Sequence, residues 1–399
     1  MYDFTIIGGG VVGLATAYQL ARLKPQSKIL ILEKESEVGA HQSSHNSGVL
    51  HSGIYYKPGS LKAKNCLAGY KQMLDFLAEH SIPHELCGKL IVATEKEELP
   101  ALKMLYDRGK QNGLSKNQWL EGLSEIHAFE PYAAGLAAIQ VPYAGIVDYK
   151  QVCAVLKRLI QQMGHEFRLG FEVKHIQRGG RWMVTSKNDD AVETKYLVDA
   201  AGLYSDRIAR KMGNDDGIKI VPFRGEYYLL KKESEHKIKS LIYPVPNLKF
   251  PFLGVHFTRM VGGGVEAGPN AVLALAREGY SWGRFNAADA CDALFYPGFW
   301  RLAAKHASYG ISEIWRSLSK QAFVRSLQRL LPEIQGHELI PGGAGVRAQA
   351  LRSDGSLVDD FALLPIPGGL IVANAPSPAA TSSLAIGQTI ADTLISSIK

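Results

Sequence analysis

Apolar residues fall into a small set of recurring patterns along the chain. Tyr2-Asp3-Phe4-Thr5-Ile6-Ile7 is a short, mostly apolar run, as expected of a strand buried on both faces. After a glycine-rich break, Ala17, Leu20 and Ala21 recur at helical spacing, and Pro25 closes the pattern. Lys28-Ile29-Leu30-Ile31-Leu32 predicts a second strand that ends at Glu33. Further on, Tyr196-Leu197-Val198-Asp199-Ala200-Ala201-Gly202 predicts a strand that runs out into small residues. Gly254–Phe257 and Leu370–Ala373 predict two more short strands, and a helix is expected from near Ala379 through Ile395. The segment 292–333 has a different texture, with aromatic and basic residues interleaved as on amphipathic helices.

The break after the first strand carries chemistry. Gly8-Gly9-Gly10-Val11-Val12-Gly13 fits G-x-G-x-x-G at Gly8, Gly10 and Gly13, between a strand and a helix, with Glu33 twenty residues past Gly13. Gly8 makes the turn, Gly10 lets the backbone approach a pyrophosphate, and Gly13 allows the helix to sit close to the strand. The first-turn N–H groups of the helix are donors for phosphate oxygens, and Glu33 can accept from ribose hydroxyls. Taken in this order, the parts predict a dinucleotide site. The same small-residue ending recurs in Ala200-Ala201-Gly202, and 341–387 is again glycine-rich. A sheet assembled from the N-terminus, the middle and the C-terminus favours FAD over NAD, whose domains are usually contiguous.

Composition narrows the picture further. In 399 residues, 46% are apolar, enough for two joined domains. No apolar run reaches about 18 residues, so no spanning helix is expected, and the fingerprint begins too early for a leader peptide to precede it. Cys66, Cys87, Cys153 and Cys291 lie far apart without a CxxC pair, which argues against a metal site and for a reducing, cytoplasmic setting. The net charge of +7 is compatible with an acidic substrate, an anionic membrane or nucleic acid, and chooses among none of them.

Four strings are more specific. Ser43-Ser44-His45-Asn46-Ser47-Gly48-Val49-Leu50-His51-Ser52-Gly53-Ile54-Tyr55-Tyr56 is the longest. With Phe250-Pro251-Phe252-Leu253-Gly254-Val255-His256-Phe257-Thr258, Gly268-Pro269-Asn270-Ala271-Val272-Leu273-Ala274 and Asn374-Ala375-Pro376-Ser377-Pro378, it resembles the L-2-hydroxyglutarate dehydrogenase/oxidase family. That family lies in the D-amino-acid-oxidase superfamily of FAD-dependent oxidoreductases. The resemblance runs from Gly8 to Gly387. It implies an α/β fold with a split Rossmann-type FAD-binding domain and an α+β substrate domain on a mostly antiparallel sheet. It also implies oxidation of L-2-hydroxyglutarate to 2-oxoglutarate, a metabolite-repair reaction whose electrons pass to a quinone or dioxygen. The cofactor contacts it implies are Gly8, Gly10, Val12, Gly13, Glu33, Lys34, Ser44, His45, Asn46, Ser47, Gly48, Val49, Val173, Ala201, Gly202, Gly345, Pro378, Ala379, Ala380 and Thr381.

Removing the proton of an aliphatic hydroxyl calls for a base, and histidine suits neutral pH. His51 is the first choice and His256 the second. A dicarboxylate needs cationic partners, for which Arg347 is expected to be the main one and Arg224 the weaker, since Glu226 stands close enough to be its structural partner. Tyr55, Tyr243 and Thr258 are the candidate hydroxyl donors. The FAD domain is expected to take 1–80, 145–220 and 335–399, and the substrate domain 81–144 and 221–334. Within the latter, Phe295, Tyr296, Phe299, Trp300 and Trp315 alternate with Arg301, Lys305, Arg316, Lys320, Arg325 and Arg329. Such a face suits peripheral contact with an anionic membrane, such as the cytoplasmic side of an inner membrane; the competing reading is aromatic core and solvated charge. Rival functions are a glycerol-3-phosphate or amino-acid oxidase of the same superfamily and a nucleic-acid-binding flavoprotein. No nucleic-acid module or dense basic tract supports the last.

Overall fold

The structure is a computed structural model that describes residues 1–246 and 254–397. Phe250–Leu253 of the second family string therefore lie outside the described residues.

Two large sheets organise the chain. Strand Tyr2–Ile7 sits at the centre of the first, between Ala191–Asp199 and Ile29–Leu32, with Ile7 level with both Asp199 and Leu32. Glu166–Arg168 extends one side and Gly369–Asn374 the other, all in parallel. Tyr2–Ile7, Ile29–Leu32 and Gly369–Asn374 are buried on both faces, which is why they read as continuous apolar runs. Helices Val11–Leu23, Tyr149–Gln162 and Ser383–Ser396 pack on this sheet as the main core. Contact between the first and last of these helices is very close: a Cβ on Gly387 would lie 2.6 Å from the Ala15 carbonyl carbon.

The second sheet, nine-stranded and largely antiparallel, is built around the long strands Lys219–Leu230 and Leu339–Leu351. Its far face carries Leu90, Ile242, Phe257 and Leu339 against Phe323 and Leu327 of helix Lys320–Gln328. Leu339–Leu351 pairs along almost its whole length with Lys219–Leu230, so the segment expected to open the last part of the FAD domain begins as a strand of the second sheet. Its glycines (Gly342, Gly343, Gly345) are carried in extended conformation by the ladder with that long partner.

The segment 292–333 folds as helices Pro297–Lys305, Ala307–Leu318 and Lys320–Gln328, with Ala287–Leu294 just before. Asp289 and Asp292 of that leading helix meet Arg207, and buried Arg277 bridges Asp292 to Asp206, tying the helical arm to the first sheet's flank.

Gly387→Val should force the first and last helices apart. Overpacking of this kind costs about 1–3 kcal/mol, read as a lower denaturant midpoint with an unchanged slope. An unchanged midpoint would mean that this helix contact yields freely.

Candidate active site

At the carboxyl ends of the parallel strands, four turns meet around one cavity of about 1130 Å³. Each glycine of the fingerprint is explained differently. Gly8 has φ +113°, and a Cβ there would lie 2.3 Å from the Ala200 carbonyl oxygen; at Gly13 it would lie 2.0 Å from the Gly8 oxygen. Those two are required by the protein itself. A Cβ at Gly10 would meet nothing closer than Ser43 Oγ at 3.4 Å, and Gly10 faces the cavity. Among the described residues nothing in the protein itself requires glycine at that position, so the space it leaves belongs to the cavity.

Glu33 is buried at the end of the second strand, where its carboxylate accepts from Gly9 N–H (2.7 Å) and Glu35 N–H (2.9 Å) while lining the cavity. The cradle fits the ribose end of a dinucleotide. Lys34 also lines it, and its ammonium sits among Glu35, Glu278 and His41, so the cation at that acidic cluster is the chain's own. Val12, His45, Asn46, Ser47, Val49, Val173, Ala201, Gly202, Gly345 and Pro378 through Thr381 all line the cavity as well. Three expected contacts do not. Gly13 packs against Gly8, Ser44 bonds within its own turn to the His41 carbonyl, and Gly48 turns at φ +63° beneath the Val147 carbonyl. The expected helix start near Ala379 also moves. A run of turns from Pro376 leads into a helix that begins at Ser383, because proline and small polar residues there favour turns over a first helical bond.

Thr381 joins distant parts of this site. Fully buried, its hydroxyl donates to the Val49 carbonyl (3.2 Å), shares a hydrogen with Tyr149 Oη (2.8 Å) and accepts the His51 N–H (3.1 Å). His51 is thereby held against the C-terminal turn, with Nε2 3.4 Å from Ser377 Oγ and its ring open to the cavity. His256 comes from the second sheet. Its Nδ1 donates to the Gly254 carbonyl at 2.7 Å, which leaves Nε2 as the acceptor, and its ring stacks on Tyr243 at 3.7 Å. Burial pushes both histidines from the usual 6.5 down to about 3, with the Lys89 ammonium adding to the effect. Both are neutral at physiological pH.

Alternation along the strands sorts the other candidates. Arg347 pairs opposite Phe223, on the side of Gly225 and Tyr227, and lines the cavity with them and Tyr243. Arg224 is one residue out of step and faces away. There it is buried against Glu226 (3.1 Å) under the Trp282 ring, so the structural reading of this pair prevails. Thr258 is buried behind Tyr243, 3.5 Å from its hydroxyl, and does not line the cavity. Neither does Tyr55, whose ring lies under Lys89 and whose hydroxyl is buried without a hydrogen-bond partner among the described residues.

Sequence reasoning missed three cavity-lining residues, Ser43, whose Oγ accepts the Val11 N–H at the helix start, Tyr149 and Tyr227, and also Lys89, which lies behind Tyr243. Ser43 stood at the head of the longest family string, which was the available signal. Tyr149, Tyr227 and Lys89 carried none, being ordinary-looking residues of strands or helices.

Gly10→Val should fold normally yet purify without FAD, since the added methyls occupy ligand space, whereas Gly13→Val should not fold. Absorbance near the flavin maximum and thermal unfolding of each variant test this. A fully yellow Gly10→Val protein would mean that the pyrophosphate lies elsewhere.

The FAD dependent oxidoreductase (DAO) family matches residues 3–393. The chain is 50% identical to an L-2-hydroxyglutarate dehydrogenase of Indibacter alkaliphilus, over 98% of both chains. It is 45% identical to the mitochondrial L-2-hydroxyglutarate dehydrogenase of Homo sapiens, over 98% of this chain and 88% of that one. In fold it is similar to FAD-bound L-alpha-glycerophosphate oxidase from Mycoplasma pneumoniae (TM-score 0.79, 24% identity, 99% of this chain and 94% of that one). The split parallel sheet, the glycine cradle and a match along nearly the whole length lead to one assignment: the chain belongs to the DAO family of FAD-dependent oxidoreductases.

Proposed function

We propose that this protein oxidises L-2-hydroxyglutarate to 2-oxoglutarate and passes the electrons to a quinone, with dioxygen as the alternative acceptor. The observation that carries the reading is that a single cavity joins the Gly10 and Glu33 cradle to Arg347 and two neutral histidines. Full-length identity to curated L-2-hydroxyglutarate dehydrogenases supports the substrate.

FAD held in the Gly10 and Glu33 cradle would supply a two-electron sink for oxidation at the substrate carbon. The chain's residues do the rest. Arg347 grips a carboxylate bidentately, which fixes the hydroxyl-bearing carbon. His51, anchored to the C-terminal turn through Thr381, takes the hydroxyl proton. His256 presents Nε2 and Tyr243 its hydroxyl from the sheet side, so the substrate is held between the two elements. Burial that keeps the histidines neutral also makes them weak bases; a dianion beside them offsets this by stabilising their protonated forms.

His51→Ala should retain FAD and lower the rate of flavin reduction roughly 10²–10⁴-fold, with substrate affinity little changed. Arg347→Ala should weaken binding by about 2–3 kcal/mol, the scale for losing a charged hydrogen-bond partner. Stopped-flow bleaching of the flavin reads both, and a slow His256→Ala beside a normal His51→Ala would exchange the histidines' roles. Because the histidines charge only near pH 3, kcat/KM should show no acid limb between pH 5 and 7. An ordinary histidine would produce one near 6.5. L-2-hydroxyglutarate should bleach the flavin far faster than its D-isomer or L-lactate.

The helical arm supports peripheral membrane contact, which fits a quinone acceptor. Ile311, Ile314, Trp315 and Leu318 form one face of helix Ala307–Leu318 and are 69, 49, 63 and 67% exposed, while Glu313 points inward to the Ala271 N–H. Phe295, Trp300, Trp282 and Phe285 are exposed nearby in sequence. Phe299 and Phe323 instead pack inward. The basic residues contribute less than expected: Arg316 is held by Glu313, Arg329 by Glu95 and Glu98, and Lys320 by the Leu339 carbonyl. No described helix is long and apolar enough to cross a membrane. Replacing Ile311, Trp315 and Leu318 with serine should abolish sedimentation with anionic liposomes, whereas neutralising Arg316, Lys320 and Arg325 should only weaken it. If the serine variant sediments normally, or the wild type instead self-associates through this face, the membrane reading fails.

A further inference from the structure

Lys89 opens strand Lys89–Ala93 and is 3% exposed, yet among the described residues no carboxylate or hydrogen-bond acceptor meets its ammonium. Its Nζ lies 3.9 Å from the centroid of the Tyr243 ring and 5.3 Å from that of Tyr55. His256 stacks on the same Tyr243 ring at 3.7 Å. Two groups so close to one centroid must occupy opposite faces, so Lys89, Tyr243 and His256 form a stack whose His256 end opens on the cavity. The titratable groups around Lys89 offer no counter-charge. His51 and His256 are neutral, and burial holds the Cys66 and Cys87 thiols protonated, pushed up to about 12 and about 11. Tyr55 and Tyr243 are held protonated as well. Arg347 adds a second positive charge on the His256 side. The acid facing Tyr243 is Glu266, two strands away opposite Thr258, and burial pushes it up to about 7.

An ammonium buried without a partner is costly, and in this site the missing partner matches what the reaction brings. We propose that Lys89 is a positioning residue whose counter-ion is the bound dicarboxylate: through the Tyr243 ring its charge draws the substrate dianion onto the His256 side of the cavity, complementing Arg347. This rests on the dicarboxylate reading given above. Lys89 does not line the cavity, so it acts by field and by holding the Tyr243–His256 stack, not by touch.

Sign and pH range follow from burial, which pulls Lys89 down to about 7. Below that pH the ammonium is charged and favours the dianion; above it the charge is lost and the dianion is held less tightly. A bound dianion in turn favours the charged form, so binding near pH 7 takes up a proton.

The test uses FAD-loaded enzyme with L-2-hydroxyglutarate between pH 6 and 9. In the wild type, KM should climb as pH rises past 7 while the limiting rate of flavin reduction stays flat. Lys89→Arg keeps its charge throughout, so its KM should stay low and lose the pH dependence. Lys89→Met should raise KM roughly ten- to thirty-fold at pH 6.5, the scale of one charge acting at this range, and flatten the profile. A Lys89→Met enzyme with wild-type KM and the same pH course would overturn the proposal. A wild type that L-2-hydroxyglutarate does not bleach would instead overturn the substrate assignment, which keeps the two failures apart. Should the Lys89 variants not hold FAD, a Glu266→Gln enzyme, which lacks the other group brought to about 7, decides: adding 2-oxoglutarate in weak buffer at pH 7 should draw protons from solution, and no uptake would overturn the role of Lys89.

Discussion

Parallel pairing of Tyr2–Ile7 between Ala191–Asp199 and Ile29–Leu32 is the constraint on which the rest of the molecule depends. Because Ile7 is level with both Asp199 and Leu32, three chain segments turn back at the same edge of the sheet. Their turns have to share that space. Gly8 and Gly13 are glycine because the Ala200 carbonyl and the Gly8 carbonyl already occupy the positions where side chains would go. With the edge so crowded by backbone, Gly10 is the fingerprint glycine left facing open cavity space. Thr381 then fixes the fourth segment, and with it His51, to the same edge.

The second sheet obeys a simpler rule. One of its faces is committed to apolar packing against Phe323 and Leu327, so any residue that is to reach the cavity must alternate onto the other. His256, Tyr243, Tyr227 and Arg347 do so. Arg224, a single position out of phase with Arg347, spends its charge on Glu226. A one-residue difference in strand phase thus separates an arginine able to meet substrate from one that braces the sheet.

That distinction explains what could be read from sequence and what could not. The glycine turn, the strand before it and Glu33 were legible because each follows from neighbours within a few residues. His51, His256 and Arg347 were legible as residue types inside distinctive strings, and the structure brings all three to the cavity. Arg224, Tyr55 and Thr258 do not line the cavity, and each for a reason set far away in sequence: Arg224 sits on the opposite strand face, Thr258 is covered by Tyr243, and Tyr55 lies in a turn beneath Lys89. Lys89 was invisible for the same reason. At the head of Leu90-Ile91-Val92-Ala93 it looks like a solvated strand end, and only the parallel pairing with Leu241–Pro244 carries it beneath Tyr243.

The division of the first sheet among distant segments also bears on the order in which the protein can acquire its parts. A ribosome delivers Tyr2–Ile7 early, but the partner strand Ala191–Asp199 follows only after nearly two hundred residues, and Gly369–Asn374 with Thr381 comes last of all. The nascent chain therefore carries a phosphate-binding turn long before it has the walls to enclose a cofactor. Tyr2–Ile7 can pair early with Ile29–Leu32, but its other edge waits for Ala191–Asp199, a period in which such an edge is exposed to aggregation. The walls of the cavity are therefore complete only once the segment bearing Thr381 is in place, and the helix from Ser383 to Ser396, which packs on Val11–Leu23, joins the core after it.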